Sequence, residues 1–114
     1  MKQIFSMVFC GEIEHVNYDR NGAHLRLNLL EKKDLLNNVE VSTEHKASLS
    51  LPYWNGYDYE KKLSDQIRSL VKGDVVTITI NRYKGFLGRE EEEISIRNYT
   101  LETYEALEKS DDLR

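Results

Sequence analysis

Alternation with a period of two dominates the middle of the chain. From His24 to Leu30, residues Leu25, Leu27 and Leu29 share one face, and His24, Arg26 and Asn28 share the other. From Val39 onward, Val41, Thr43, His45, Ala47, Leu49 and Leu51 alternate with Glu40, Ser42, Glu44, Lys46, Ser48 and Ser50. Such a period over a dozen positions belongs to half-buried strand and not to helix. Upstream, Lys2 to Tyr18 is rich in β-branched and aromatic residues and is apolar on both faces at first, as in a strand partly covered on both sides. Gly11, and the lost alternation at Ile13 and Val16, predict a bend or bulge there. Asp19-Arg20-Asn21-Gly22 carries the Asn-Gly hairpin signal between the first two runs, and Asn37-Asn38 a second turn.

Pro52 ends the third run, and Tyr53–Tyr59 reads as an aromatic, polar loop. Asp58 can cap a helix over Tyr59–Lys72, whose stripe is Leu63, Ile67, Leu70 and Val71, with Gly73 at the left-handed C-cap position. Asp74–Asn81 is a fourth strand, with Val76, Ile78 and Ile80 on one face. Arg82–Gly88 is a loop, Glu90–Glu93 an acidic run, and Ile94 with Ile96 a short fifth strand. Leu101, Tyr104 and Leu107 recur at helical spacing and predict a short C-terminal helix. The order is therefore β–β–β–α–β–β. Five short antiparallel strands dispose of their edges by closing. The expected fold is all-β, a five-stranded OB-type barrel with one helix between strands three and four. An SH3-like barrel lacks the helix, and a ferredoxin-like fold needs two crossover helices.

The 114 residues leave room for one domain, expected over 1–100, with an acidic helix or tail over 101–114. No apolar run approaches the ~18 residues of a membrane span, and the N-terminus reads as a strand and not as a signal peptide. Cys10 is the only cysteine, which fits a reducing, cytoplasmic setting, and it reads as a small buried hydrophobe of the first strand. The net charge of −4 is unevenly spread. Residues 1–89 carry 13 Lys and Arg against 11 Asp and Glu, and residues 90–114 carry 3 against 9. Phosphate affinity follows the local potential and not the sum, so an acidic chain can still hold a nucleic acid.

Several segments resemble the OB-fold single-stranded DNA-binding proteins, especially small phage-type members. These are Gly11-Glu12-Ile13, the Asn21-Gly22 hairpin before Leu25-Arg26-Leu27, Leu70-Val71-Lys72-Gly73-Asp74-Val75-Val76, and the basic-aromatic Asn81-Arg82-Tyr83-Lys84-Gly85-Phe86-Leu87-Gly88. The resemblance spans most of residues 4–99. It implies sequence-tolerant binding and protection of single-stranded DNA in replication or recombination. It also implies a homo-oligomer, and replication or recombination proteins as further partners.

Single strands are held by cations on phosphates and by rings stacked on bases. Arg82, Tyr83, Lys84, Phe86 and Arg89 interleave both in one loop, and Tyr53, Trp54 and Tyr57 form a second aromatic cluster. Arg20 in the first hairpin, Arg26 on strand two, Lys33 in the linker that follows it, and Lys46 on strand three complete the expected surface, with His24, Asn28 and Ser48 beside them. An OB-type protein–protein adaptor or structural subunit using the aromatic loop as an interface, or an RNA-binding module, fits the same residues. Catalysis and cofactors are not expected. His15, His24 and His45 share no metal spacing, and His45 has the parity of a core residue. Cys10 has no activating motif, and no phosphate-binding Gly loop is present.

Overall fold

The alternating runs pair into one twisted antiparallel sheet. The computed structural model describes residues 2–41, 46–55, 58–59 and 61–112, with the backbone alone at 54, 55, 58, 59 and 108–112. Strand β1 (Lys2–Tyr18) forms a hairpin with β2 (Gly22–Asp34). β3 (Val39–Glu40) and β4 (Lys46–Pro52) both lie along the far edge of β2. β5 (Trp54–Asn55) and β6 (Asp58–Tyr59) make a small separate ladder before helix α1 (Lys61–Arg68). β7 (Val75–Lys84) returns beside β1, β8 (Glu90–Tyr99) pairs with β7, and α2 (Leu101–Asp112) follows. The main sheet runs β3/β4–β2–β1–β7–β8. The fold is all-β with two helices among the described residues.

One sheet face buries Phe9, Ile13, Leu25, Leu27, Leu51, Val76 and Ile78, and α1 covers it with Leu63 and Ile67. The expected bend in β1 is present as register shifts at Cys10/Gly11 and Ile13/His15. Gly11 is there for space, since a Cβ would stand 2.5 Å from the Asn28 carbonyl oxygen. The opposing residues Cys10↔Glu31 and Gly11↔Leu29 leave Leu30 as the extra residue of β2, and it is exposed. Cys10 is buried, with the Thr77 hydroxyl on its sulfur at 3.5 Å.

Three expectations are corrected. The third strand is two pieces whose registers along β2 differ by one residue (Lys33↔Glu40 against Asn28↔Lys46). The stretch holding Thr43 and His45 lies outside the described residues. The helix stops at Arg68, where Ser69 and Leu70 tighten into three-residue turns, so Val71 leaves the helical period and is exposed. Gly73 keeps its left-handed conformation (φ 94°), and its N–H donates to the Ile13 carbonyl. The fifth strand begins at Glu90, so the acidic run is β-strand. Each glutamate is paired in register with a β7 residue, and that ladder outweighs the low strand propensity of Glu. All-β architecture is as expected, and closure into a barrel is not seen among the described residues. Among the described residues no ladder joins β4 to β8, and α1 and β5 lie against β8 instead.

The C-terminal helix starts where expected. The Thr100 hydroxyl accepts from the Thr103 N–H at 3.2 Å, satisfying one of the free donors of a helix start.

Candidate nucleic-acid interface

The outer face of β2 and β4 is set by the pairs His24↔Ser50, Arg26↔Ser48 and Asn28↔Lys46. Cross-strand partners point to the same side, so alternation makes this row polar while Leu25, Leu27 and Leu51 go inward. All six side chains but the half-buried Asn28 are exposed. The bulge of β1 between Ile13 and His15 places Glu14 beside this row. Its carboxylate accepts from Lys46 Nζ at 2.8 Å and stands 3.4 Å from Arg26 Nε. The Lys46 hydrogen bond, then the charges of Lys46, Arg26 and Lys72, hold Glu14 below its ordinary 4.5, against the opposing effect of burial. Two predicted cations are thus brought together, and one carboxylate bridges them.

At the end of the row, the Asp19 carboxylate organises the β1–β2 turn. It accepts from the backbone N–H of Asn21 (2.7 Å) and Gly22 (2.9 Å), and from His24 Nε2 at 2.8 Å. The Asn-Gly turn is therefore built by an Asp side chain, and neither Asn21 nor Gly22 takes a positive φ. Gly22 is needed for close approach: a Cβ would stand 2.0 Å from the Leu51 carbonyl oxygen. Arg20 is exposed at the tip, with no ion-pair partner among the described residues.

Asp34 does the same for the β2–β3 turn, accepting from the N–H groups of Leu36 and Asn37 and from the Asn37 amide. The His24 hydrogen bond on Asp19 and the Asn37 side-chain hydrogen bond on Asp34 lead the effects that lower both carboxyls below 3.8. A carboxylate with a depressed native pKa adds stability above its unfolded pKa, and that stability is lost as pH falls through the native value. Unfolding free energy is therefore expected to be flat from neutrality to about pH 5 and to fall below about pH 4. Urea titrations across that range check the sign, and Asp19→Asn with Asp34→Asn should flatten the decline.

The second predicted site lies on the β7–β8 hairpin, and the ladder changes its electrostatics. Lys84 faces Glu90, Tyr83 faces Glu91, and Arg82 faces Glu92 and pairs with it at 2.8 Å. The Arg82 guanidinium also sits 4.9 Å from the Phe5 ring centroid. On the other side, Lys84 faces Lys2, so four cations (Lys2, Arg82, Lys84 and Arg89) meet four glutamates along the ribbon. Phe86 is 92% exposed at the tip, beside a fully exposed Leu87 in left-handed conformation (φ 64°). Tyr83 is half-buried, and Arg89 is exposed with its carbonyl accepting from Gly85 N–H.

The aromatic cluster divides. Tyr53 is 1% exposed, with the Arg68 guanidinium 4.2 Å from its ring centroid, so it is a core residue and offers no face to a base. Its N–H donates to the Asn21 carbonyl, which draws the ring under the sheet. Trp54 lies in β5, where the backbone alone is described, and Tyr57 lies outside the described residues. Lys33 is half-buried on the outer side of β2, opposite Val8 and Glu40 and away from both groups.

Sequence reasoning missed Glu14, Lys2 and Leu87. The first two emerge only from register, whereas the exposure of Leu87 follows from its place in the five-residue tip 85–89. Among the described residues no group of three or more His, Cys, Asp and Glu side chains is placed to hold a metal, and no helix is long and apolar enough to cross a membrane. No family model matches the chain, and no curated protein or solved structure matches it.

Proposed function

We propose that the chain is an OB-type module that binds single-stranded DNA without sequence preference and protects it during replication or recombination. The strand order β3/β4–β2–β1–β7–β8, with a helix between β4 and β7, supports this reading, since a five-stranded OB barrel opened between its third and fifth strands would have that order. The observation that carries the reading is the uncovered polar row on β2 and β4, where OB barrels receive oligonucleotides. Arg26 and Lys46 would track phosphates there, Arg20 would extend the path across the turn, and Phe86 offers an open ring for stacking. Because one barrel covers roughly 4–16 nucleotides, protecting a longer strand calls for several copies, and a homo-oligomer is part of the proposal.

Glu14 sets the strength of this surface, because it holds both cations in place while cancelling one of their charges. Glu14→Gln is expected to tighten binding of labelled oligo-dT by about tenfold, roughly the 1.4 kcal/mol of one repulsive charge removed. Arg26→Ala and Lys46→Ala should weaken it and each lower the salt slope by about 0.7, the single-strand value per phosphate. Unchanged affinity and slope in all three variants would remove this face from the proposal.

A second reading, a protein–protein adaptor, is favoured by the fully exposed Phe86–Leu87 tip above a charge-balanced ribbon. Phe86→Ala separates the two. Loss of a stacked ring costs about 1–3 kcal/mol of nucleic-acid affinity, and folding stability should not move for so exposed a side chain. An unchanged DNA affinity together with dissociation of an oligomer supports the adaptor.

A further inference from the structure

We propose that the outer edge of β8 is a docking groove for a basic, extended peptide segment of a partner protein, which adds to the sheet as one more strand. The surface is separate from the β2–β4 row and lies at the opposite end of the sheet. β8 pairs with β7 alone among the described residues. The direction of its free backbone groups follows from the ladder. Ile13 bonds the Asp74 carbonyl, so alternation points Val76, Ile78 and Ile80 at β1, and Thr77 and Thr79 at β8. Their partners Arg97 and Ser95 point back, which leaves the N–H and C=O groups of Glu92, Ile94 and Ile96 aimed outward. The Gln66 amide agrees with that direction, reaching the Ile96 carbonyl at 3.5 Å.

Such an edge is a template for strand addition unless something covers it. Here α1 and β5 lie against β8, and neither pairs with its edge as a strand among the described residues. Between α1 and β8 runs an open groove of about 270 Å³, lined by Lys62, Leu63 and Gln66 on the helix and by Glu93–Ile96 on the strand. The Gln66 contact is at the limit of hydrogen bonding, so an incoming N–H can replace it at little cost.

Charge selects the occupant. Glu90, Glu91 and Glu93 are exposed and have no ion-pair partner among the described residues, of which Lys62 alone lines the groove as a cation. An incoming strand places its side chains beside those of its neighbour, where opposite charges stabilise and like charges repel. The segment that fits therefore alternates Lys or Arg, against Glu91 and Glu93, with small apolar residues against Ile94. The glutamates that admit it discourage acidic strands.

The probe is a fluorescein-labelled peptide of four Lys-Val repeats, read by anisotropy and by backbone amide shifts of the intact chain. The expected result is binding that shifts the amides of Glu92, Ile94 and Ile96. N-methylation at the alternate residues facing β8 should weaken it about tenfold, as backbone hydrogen bonds are lost, and methylation of the other set should not. Glu91→Lys with Glu93→Lys should reverse the preference toward a Glu-Val peptide. No binding to the folded chain, equal effects of the two methylation patterns, or shifts confined to β2 and β4 would overturn the proposal. A dimer of the unmodified chain that the double lysine variant splits would also overturn it, by making a second copy the occupant.

Discussion

Gly22→Ala is expected to remove about 3 kcal/mol or more of folding stability, the upper end of what overpacking costs. The added Cβ would lie 2.0 Å from the Leu51 carbonyl oxygen and 2.9 Å from both the Leu51 carbonyl carbon and the Pro52 Cα. All three are backbone atoms of β4, so no side chain can yield and the strand itself must move. Since β4 carries half of the proposed binding row, nucleic-acid affinity should fall with stability. Urea unfolding reads the first effect as a lower midpoint at unchanged slope. Gly73→Ala is the control for conformation without crowding. Nothing lies within 4 Å of its added Cβ, and the positive φ of 94° should cost about 1–2 kcal/mol.

Ile67→Ala should cost about 3 kcal/mol, within the range for emptying a fully buried aliphatic site. Ile67 is wholly inaccessible and joins α1 to the sheet interior alongside Leu63. Its loss weakens the element that covers the open end of the sheet, so amide exchange should rise first in α1. Val71→Ala, three residues past the helix end and exposed, is expected to stay within about 0.5 kcal/mol of the parent.

The contrast between Ile67 and Val71 shows where sequence reading works. Leu25, Leu27, Val76, Ile78 and Ile67 declare their faces through local periodicity, and each is buried as that periodicity predicts. Val71 obeys the same period, but the backbone tightens at Ser69 and carries it out of phase. The strand at Glu90–Glu93 was hidden for a related reason. Four consecutive glutamates have no apolar period, and what makes them strand is the in-register β7 partner, with Arg82 on Glu92. Tyr53 and its neighbours show the limit for rings. Composition says that the segment is aromatic, while the burial of Tyr53 rests on partners distant in sequence, the Asn21 carbonyl that its N–H reaches and the Arg68 guanidinium over its ring. Arg26 and Lys46 were legible as cations on a polar face. Glu14, which ties them together, reaches that face through a bulge, and a bulge changes parity in a way that alternation alone cannot locate.

Phosphate contacts made by the outer row of β2 and β4 carry the proposed function, and their salt dependence is the most direct readout. Anisotropy of a labelled oligo-dT should be followed at 50 and 200 mM salt. With about three phosphates neutralised, the single-strand slope of about −0.7 per contact predicts affinity about 20-fold lower at the higher salt. An affinity indifferent to salt, or no binding by the folded chain at 50 mM, contradicts it.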